Sequence, residues 1–152
     1  MSIVVMVAAV MILAPFAGSS AQSFSATLSP IAGVVQVLLQ GESEWVNVVE
    51  TTLINQGDQI RTGNDGLARL NVVTGISVDI HPTTWVEIND LSLGEGDDSA
   101  LTYRLFQLVG RTYVYVDQEL NPDDRVQVVY PTVGIVVTGM GGTSFFNFIH
   151  PN

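Results

Sequence analysis

From residue 22 onward, apolar and polar positions alternate or form short apolar runs broken by glycine, asparagine and aspartate. That period of two predicts strands. It is carried by residues 33–39, 45–49, 52–54, 59–62, 68–73, 77–80, 85–88, 101–108, 111–116, 125–130, 134–137 and 143–149, segments rich in Val, Ile, Thr, Tyr and Phe. The turns between them hold residues that tolerate positive φ or bond their own backbone, among them Gln56-Gly57-Asp58, Asn64-Asp65-Gly66, Thr74-Gly75 and Asn121-Pro122-Asp123-Asp124. No segment after residue 22 carries a convincing helical pattern. Close-spaced short strands without crossover helices predict an all-β fold: an antiparallel β-sandwich, a jelly roll or a short β-solenoid. The pattern leaves those three open.

The start of the chain follows a different rule. Residues 3–14 are twelve consecutive apolar residues, followed by Pro15 and the small, polar stretch Ala17-Gly18-Ser19-Ser20-Ala21. A span of the bilayer needs about 20 residues, so this segment reads as a secretory signal peptide cut between Ala21 and Gln22. Its n-region departs from the usual one, since only the α-amino group supplies positive charge. The alternatives are an uncleaved membrane anchor and a buried core segment. The expected organisation is a signal segment over 1–21, an extended linker or arm over 22–30 and one β domain over 31–152, in a secreted, periplasmic or extracellular protein.

A chain of 152 residues suits one domain that buries roughly 70% of its unfolded surface. Fifteen acidic residues against five basic ones set the net charge at −10. The basic residues are Arg61, Arg69, Arg104, Arg111 and Arg125, scattered along the chain, so no basic stripe faces a phosphate backbone and nucleic acid is excluded as a partner. The same charge repels anionic membranes and leaves cations, neutral ligands and proteins as partners. With no cysteine, disulfides, thiol catalysis and cysteine metal sites are excluded.

The densest motif runs from Leu53 to Leu70: Leu53, Gly57-Asp58, Ile60-Arg61-Thr62-Gly63 and Gly66-Leu67-Ala68-Arg69-Leu70. With Gly33-Val34-Val35, Trp45, Gly75, Ile80-His81-Pro82, Leu108-Val109-Gly110-Arg111, Pro131-Thr132, Gly142-Thr143 and Phe145, it resembles the FecR family of periplasmic domains over about three-quarters of the chain. The final motif departs from the family pattern, because Thr138-Gly139-Met140-Gly141 precedes Gly142-Thr143. The resemblance implies an extracytoplasmic all-β module that receives or transmits a binding signal by protein contact, without catalytic residues or cofactor. Only two residues precede the apolar run, so a free-standing sensory domain without the cytoplasmic anti-sigma region is expected.

The candidate chemistry is sparse. Gly57, Asp58 and Arg61 mark a polar ligand site or, in the plainer alternative, a turn in which Asp58 bonds the following backbone and Arg61 pairs with a neighbouring carboxylate. Glu95, Asp97 and Asp98, with Asp123 and Asp124, offer hard oxygen ligands for calcium, yet their spacing fits no EF-hand. His81 and His150 have no metal-ligand spacing, and no Gly-x-Ser-x-Gly elbow presents a nucleophile. Gly139-Met140-Gly141-Gly142 lacks the lysine of a phosphate loop and reads as a turn before a last strand. Tyr103, Phe106, Tyr113, Tyr115 and Tyr130 either line a glycan-binding face or pack, with packing favoured. The uncharged strand containing Phe145, Phe146 and Phe148 is either a core strand or an interaction edge.

Two functions follow, neither enzymatic nor dependent on a metal or cofactor. One is a secreted interaction or sensory module that binds a protein or cell-envelope component. The other is a structural subunit that self-associates by β-strand addition into a filament or surface layer.

Overall fold

The computed structural model describes residues 22–73, 75–94, 100–117, 119–130, 135–139 and 142–149. Its strands are β1 (Gln22–Ser23), β2 (Ala26–Ala32), β3 (Val35–Leu38), β4 (Val46–Asn47), β5 (Thr52–Ile54), β6 (Gln59–Thr62), β7 (Leu67–Val73), β8 (Ile76–Ile80), β9 (Trp85–Leu93), β10 (Leu101–Val116), β11 (Arg125–Tyr130), β12 (Ile135–Gly139) and β13 (Thr143–Ile149). The expected all-β class holds. The main path runs β4-β3-β6-β9-β10-β8-β7-β2-β5 as an antiparallel, strongly curled sheet. Off that path, β11 pairs with β10 in parallel, β12 pairs with β11, β13 pairs with β10, and β1 pairs with β9.

The curl depends on β10, whose 16 residues are shared between both halves of the sheet. Its first half pairs with β9 and β11, its second with β8 and β13. The sequence pattern predicts two strands there, 101–108 and 111–116, separated at Val109-Gly110. The chain instead runs through, with a register shift between Gln107 and Val109. One extra residue inverts the strand's phase: Leu101, Tyr103, Leu105 and Gln107 face inward before it, and Gly110, Thr112, Val114 and Val116 after it. A bulge therefore bends the strand while keeping one core for both halves.

That bend carries buried polar groups, and they are paired. Gln107 Nε2 donates to the Gly110 carbonyl at 2.7 Å, and Thr112 Oγ1 donates to Gln107 Oε1 at 2.6 Å. The Arg111 amide donates to Thr84 Oγ1 at 2.9 Å, and the Thr84 amide donates to Thr62 Oγ1 at 3.0 Å. Hydrogen bonds lost from the ladder at the bulge are thus replaced by side chains, as burial demands.

The segment expected as an arm is part of the sheet. Residues 26–32 form β2, which lies between β5 and β7, and Ala26 and Leu28 are fully buried. Pro30 sits where the register shifts against β7, a position at which a missing amide is tolerated.

One core spans the curl, from Leu28, Ile54 and Leu70 through Val78 and Val114 to Ile60, Ile88, Leu105 and Val128. Tyr103 is buried within it, and its hydroxyl has no hydrogen-bond partner among the described residues. Burial pushes that hydroxyl's pKa far above its usual value. Tyr103→Phe removes a desolvated polar atom while keeping the ring, so the variant should be as stable as the parent or up to about 1 kcal/mol more stable in urea unfolding. A loss of about 1 kcal/mol or more would show that the hydroxyl is bonded in solution.

Candidate functional site

The Gly57-Asp58 motif builds a turn. Gly57 has φ +89°, and a Cβ there would meet the Gln40 side chain at 2.4 Å, so glycine is required. The carboxylate of buried Asp58 accepts from the amides of Gln40 and Asn55, each at 2.8 Å. Asp58 therefore ties the turn to preceding backbone, not to the following residues that the sequence suggests. Ile60 enters the core, and Thr62 Oγ1 donates to the His81 carbonyl at 2.6 Å. Gly63 and Gly66 close the next turn through a Gly66 N–H to Gly63 carbonyl bond of 3.1 Å.

Arg61 departs from its expected carboxylate partner. Its Nε donates to Gln36 Oε1 at 2.7 Å, and its guanidinium carbon lies 4.1 Å from the centre of the Trp45 ring. Trp45 in turn meets Trp85 edge to face, with ring centres 6.1 Å apart. Trp85 Nε1 donates to Gln59 Oε1 at 3.0 Å, and Gln36 Nε2 donates to Asn47 Oδ1 at 2.8 Å. Cross-strand pairing explains the assembly: Asn47, Gln36, Arg61 and Trp85 occupy one row across β4, β3, β6 and β9. Sequence reasoning missed this row, because its members are distant in the chain and only strand register brings them together.

The tyrosines divide by face. Tyr103 and Tyr130 are buried, so packing holds for them. Tyr113 and Tyr115 do not pack inside. Val114 and Val116 take the core face, leaving the two rings half-buried on the outer face, 4.6 Å apart. Tyr115 Oη donates to Asp79 Oδ2 at 3.3 Å, and Asp79 accepts a two-point bridge from Arg69 at 2.6 and 2.8 Å. The Arg69 hydrogen bonds hold the Asp79 carboxyl below its usual range, against an opposing effect of burial. A depressed carboxyl stabilises the fold above its unfolded pKa of about 3.9, and that contribution is lost as pH falls through the folded value. Because Arg69 is exposed, Asp79→Asn should cost only about 0.5–1 kcal/mol near neutral pH, and the difference should vanish in acid. An unchanged gap at low pH in paired urea titrations would contradict this.

On β13, Phe145 packs against the core, whereas Phe148 is 51% exposed and lies opposite Arg111. Phe146 pairs in register with Tyr113, and Thr143 with Val116. Gly142 forms the turn before the strand. The calcium candidates Glu95, Asp97 and Asp98, together with Met140, Gly141 and His150, lie outside the described residues. Asp124 is buried and occupied by the amides of Leu101 and Asn121 at 2.8 and 2.7 Å. No group of three His, Cys, Asp or Glu able to hold a metal occurs among the described residues.

An apolar opening lies where the curl ends. β4 and β5, the two ends of the nine-strand path, are separated in the chain only by residues 48–51. Five extended steps span about 18 Å at most, so the two strand ends must lie near each other. Each is hydrogen-bonded along the path on one side only, to β3 and to β2. Between them opens a groove of about 240 Å³ lined by Val37, Leu39, Val46, Val49, Thr52 and Leu53. Val49 is 87% exposed, Leu53 63% and Val46 59%. Glu42, Glu44 and Glu50 are exposed on the neighbouring loops. The sequence shows these residues as ordinary strand positions, since exposure at a sheet edge depends on which strands pair.

Scans against protein-family models, curated proteins and solved structures return no match.

Proposed function

We propose that this chain is an extracytoplasmic, non-catalytic binding module of FecR-like type that captures an extended segment of a protein partner in the groove between β4 and β5. The two halves of the sheet then act as the facing layers of a β-sandwich joined through β10. The observation that carries the function is the groove itself: large aliphatic side chains, strongly exposed, between two strands each left open on one side. Isolated exposed aliphatic residues are ordinary, but several that line one groove mark an interaction surface. Strand addition satisfies free backbone groups, while alternate side chains of the added segment enter the groove. β4 has two residues and β5 three, so few ladder bonds are on offer and apolar contact must supply much of the affinity. Glu42, Glu44 and Glu50 favour a partner segment with apolar residues at its centre and basic residues at its flanks. The signal-like start and the Leu53–Leu70 motif support the envelope setting and the absence of catalysis.

The test is a titration of the ¹⁵N-labelled protein with a synthetic peptide of alternating Val and Thr flanked by lysines. Shifts concentrated over residues 37–53, and lost in Leu53→Glu, are expected. Absence of shifts, or shifts centred elsewhere, would remove the proposal. The second reading, assembly between copies, draws on β13, a seven-residue strand paired with β10 and carrying exposed Phe148. A net charge of −10 on every copy opposes it.

A further inference from the structure

The row formed by Asn47, Gln36, Arg61 and Trp85 meets the groove at Asn47, which also lines it, and runs from there across β3, β6 and β9, where it is polar and aromatic, not aliphatic. It presents a polar and aromatic strip on the outer face of β4, β3, β6 and β9. We propose that this strip is a second binding site, for a neutral polysaccharide.

Three observations converge on that ligand. First, Trp85 is 40% exposed and held in place, edge to face with Trp45 and bonded through its indole N–H to Gln59. A fixed, accessible indole stacks on the C–H face of a sugar ring with little ordering cost. Second, Arg61 is pre-set. Its Nε is bonded to Gln36 and its guanidinium carbon lies over the Trp45 ring, yet its two Nη groups have no partner among the described residues. The same holds for Asn47 Nδ2 and Gln59 Nε2. Glu87, paired in register with Gln59 and with Phe106, adds an acceptor on the same face. Donors and an acceptor set around an indole match the vicinal hydroxyls of a sugar. Third, the charge points to a neutral ligand. Arg61 and Glu87 offset one another, the net charge of −10 repels a polyanion, and Arg61 at the centre of the strip repels a cation. Strands about 4.8 Å apart give a strip of about 14 Å from β4 to β9, long enough for a short oligosaccharide.

The protein holds two tryptophans, and both belong to this strip, so tryptophan emission reports on it without background. The experiment titrates the full protein with cellohexaose, xylohexaose and chitohexaose, following emission and, in parallel, heat. Saturable binding of at least one of them is expected. Trp85→Ala and Arg61→Gln should each weaken it about tenfold, Trp85→Phe should retain most of it, and Leu53→Glu in the groove should leave it unchanged. Both substituted positions are exposed, and circular dichroism checks that each variant is folded. If Trp85→Ala lowers the folded population, Arg61→Gln carries the comparison alone. The proposal is overturned if none of the three sugars binds at millimolar concentration, if binding survives both Trp85→Ala and Arg61→Gln, or if emission responds only to polygalacturonate or to the lysine-flanked peptide.

Discussion

Gly110→Ala is expected to destabilise the protein by about 3 kcal/mol or more, a large part of the roughly 5–15 kcal/mol that holds a domain of this size together. Gly110 has φ +94°, a conformation that a Cβ opposes. The added methyl would also stand 2.4 Å from Thr84 Oγ1 and 2.5 Å from the Thr83 carbonyl oxygen and from Thr84 Cα, two of them backbone atoms that cannot rotate away. Thr84 accepts the Arg111 amide at 2.9 Å and donates to the Arg111 carbonyl at 3.1 Å. Displacing Thr84 therefore breaks the buried polar chain at the bend of β10, where both halves of the sheet meet. Thr83 adds to the effect, because it already holds φ +56°, a conformation that β-branched residues rarely adopt. Equilibrium urea unfolding followed by circular dichroism reads the loss. A change below about 1 kcal/mol would mean that the bend relaxes freely and that β10 does not couple the two halves.

Leu28→Ala carries the second large effect, about 2–5 kcal/mol, because Leu28 is fully buried in β2 with β5 on one side and β7 on the other. The same substitution in a free arm would change stability by no more than about 0.5 kcal/mol. Urea unfolding separates the two cases directly. The position of β2 also bears on a deletion of residues 22–30. It removes five of the seven residues of an internal strand, so failure to fold would follow whether or not chains exchange strands, and the deletion cannot distinguish a binding module from an assembling subunit.

The strand period showed the all-β class and the turn chemistry of residues 55–66, since alternation and Gly, Asp and Asn act locally. What it hid was long-range. In β2, Ala26 and Leu28 alternate with Thr27 and Ser29 as a half-buried strand should, but Pro30 and the serines on either side of Leu28 imitate a linker. The bulge that accommodates Pro30 is visible only from the pairing with β7. In β10, Val109-Gly110 has the look of a break because a bulge and a turn use the same residue types. The outward position of Tyr113 and Tyr115 follows from the phase inversion at that bulge. The Arg61 partners were illegible for a related reason: Gln36 and Trp45 reach it across β3 and the chain beside β4, and no local spacing encodes that meeting. The groove depends on the same geometry, since Val46 and Leu53 are exposed through the positions of β4 and β5 at the ends of the path.

The central claim is that one chain completes this fold by itself and leaves the β4–β5 groove for a different partner. Light scattering on a sizing column, applied to protein secreted and purified at low and at high salt, tests it most directly. A monomer at or below the 16.3 kDa of the full chain, at every concentration and salt level, is the predicted result. Particles many times that mass that survive dilution and high salt would contradict it, and would assign the open edges of the sheet to copies of the same chain.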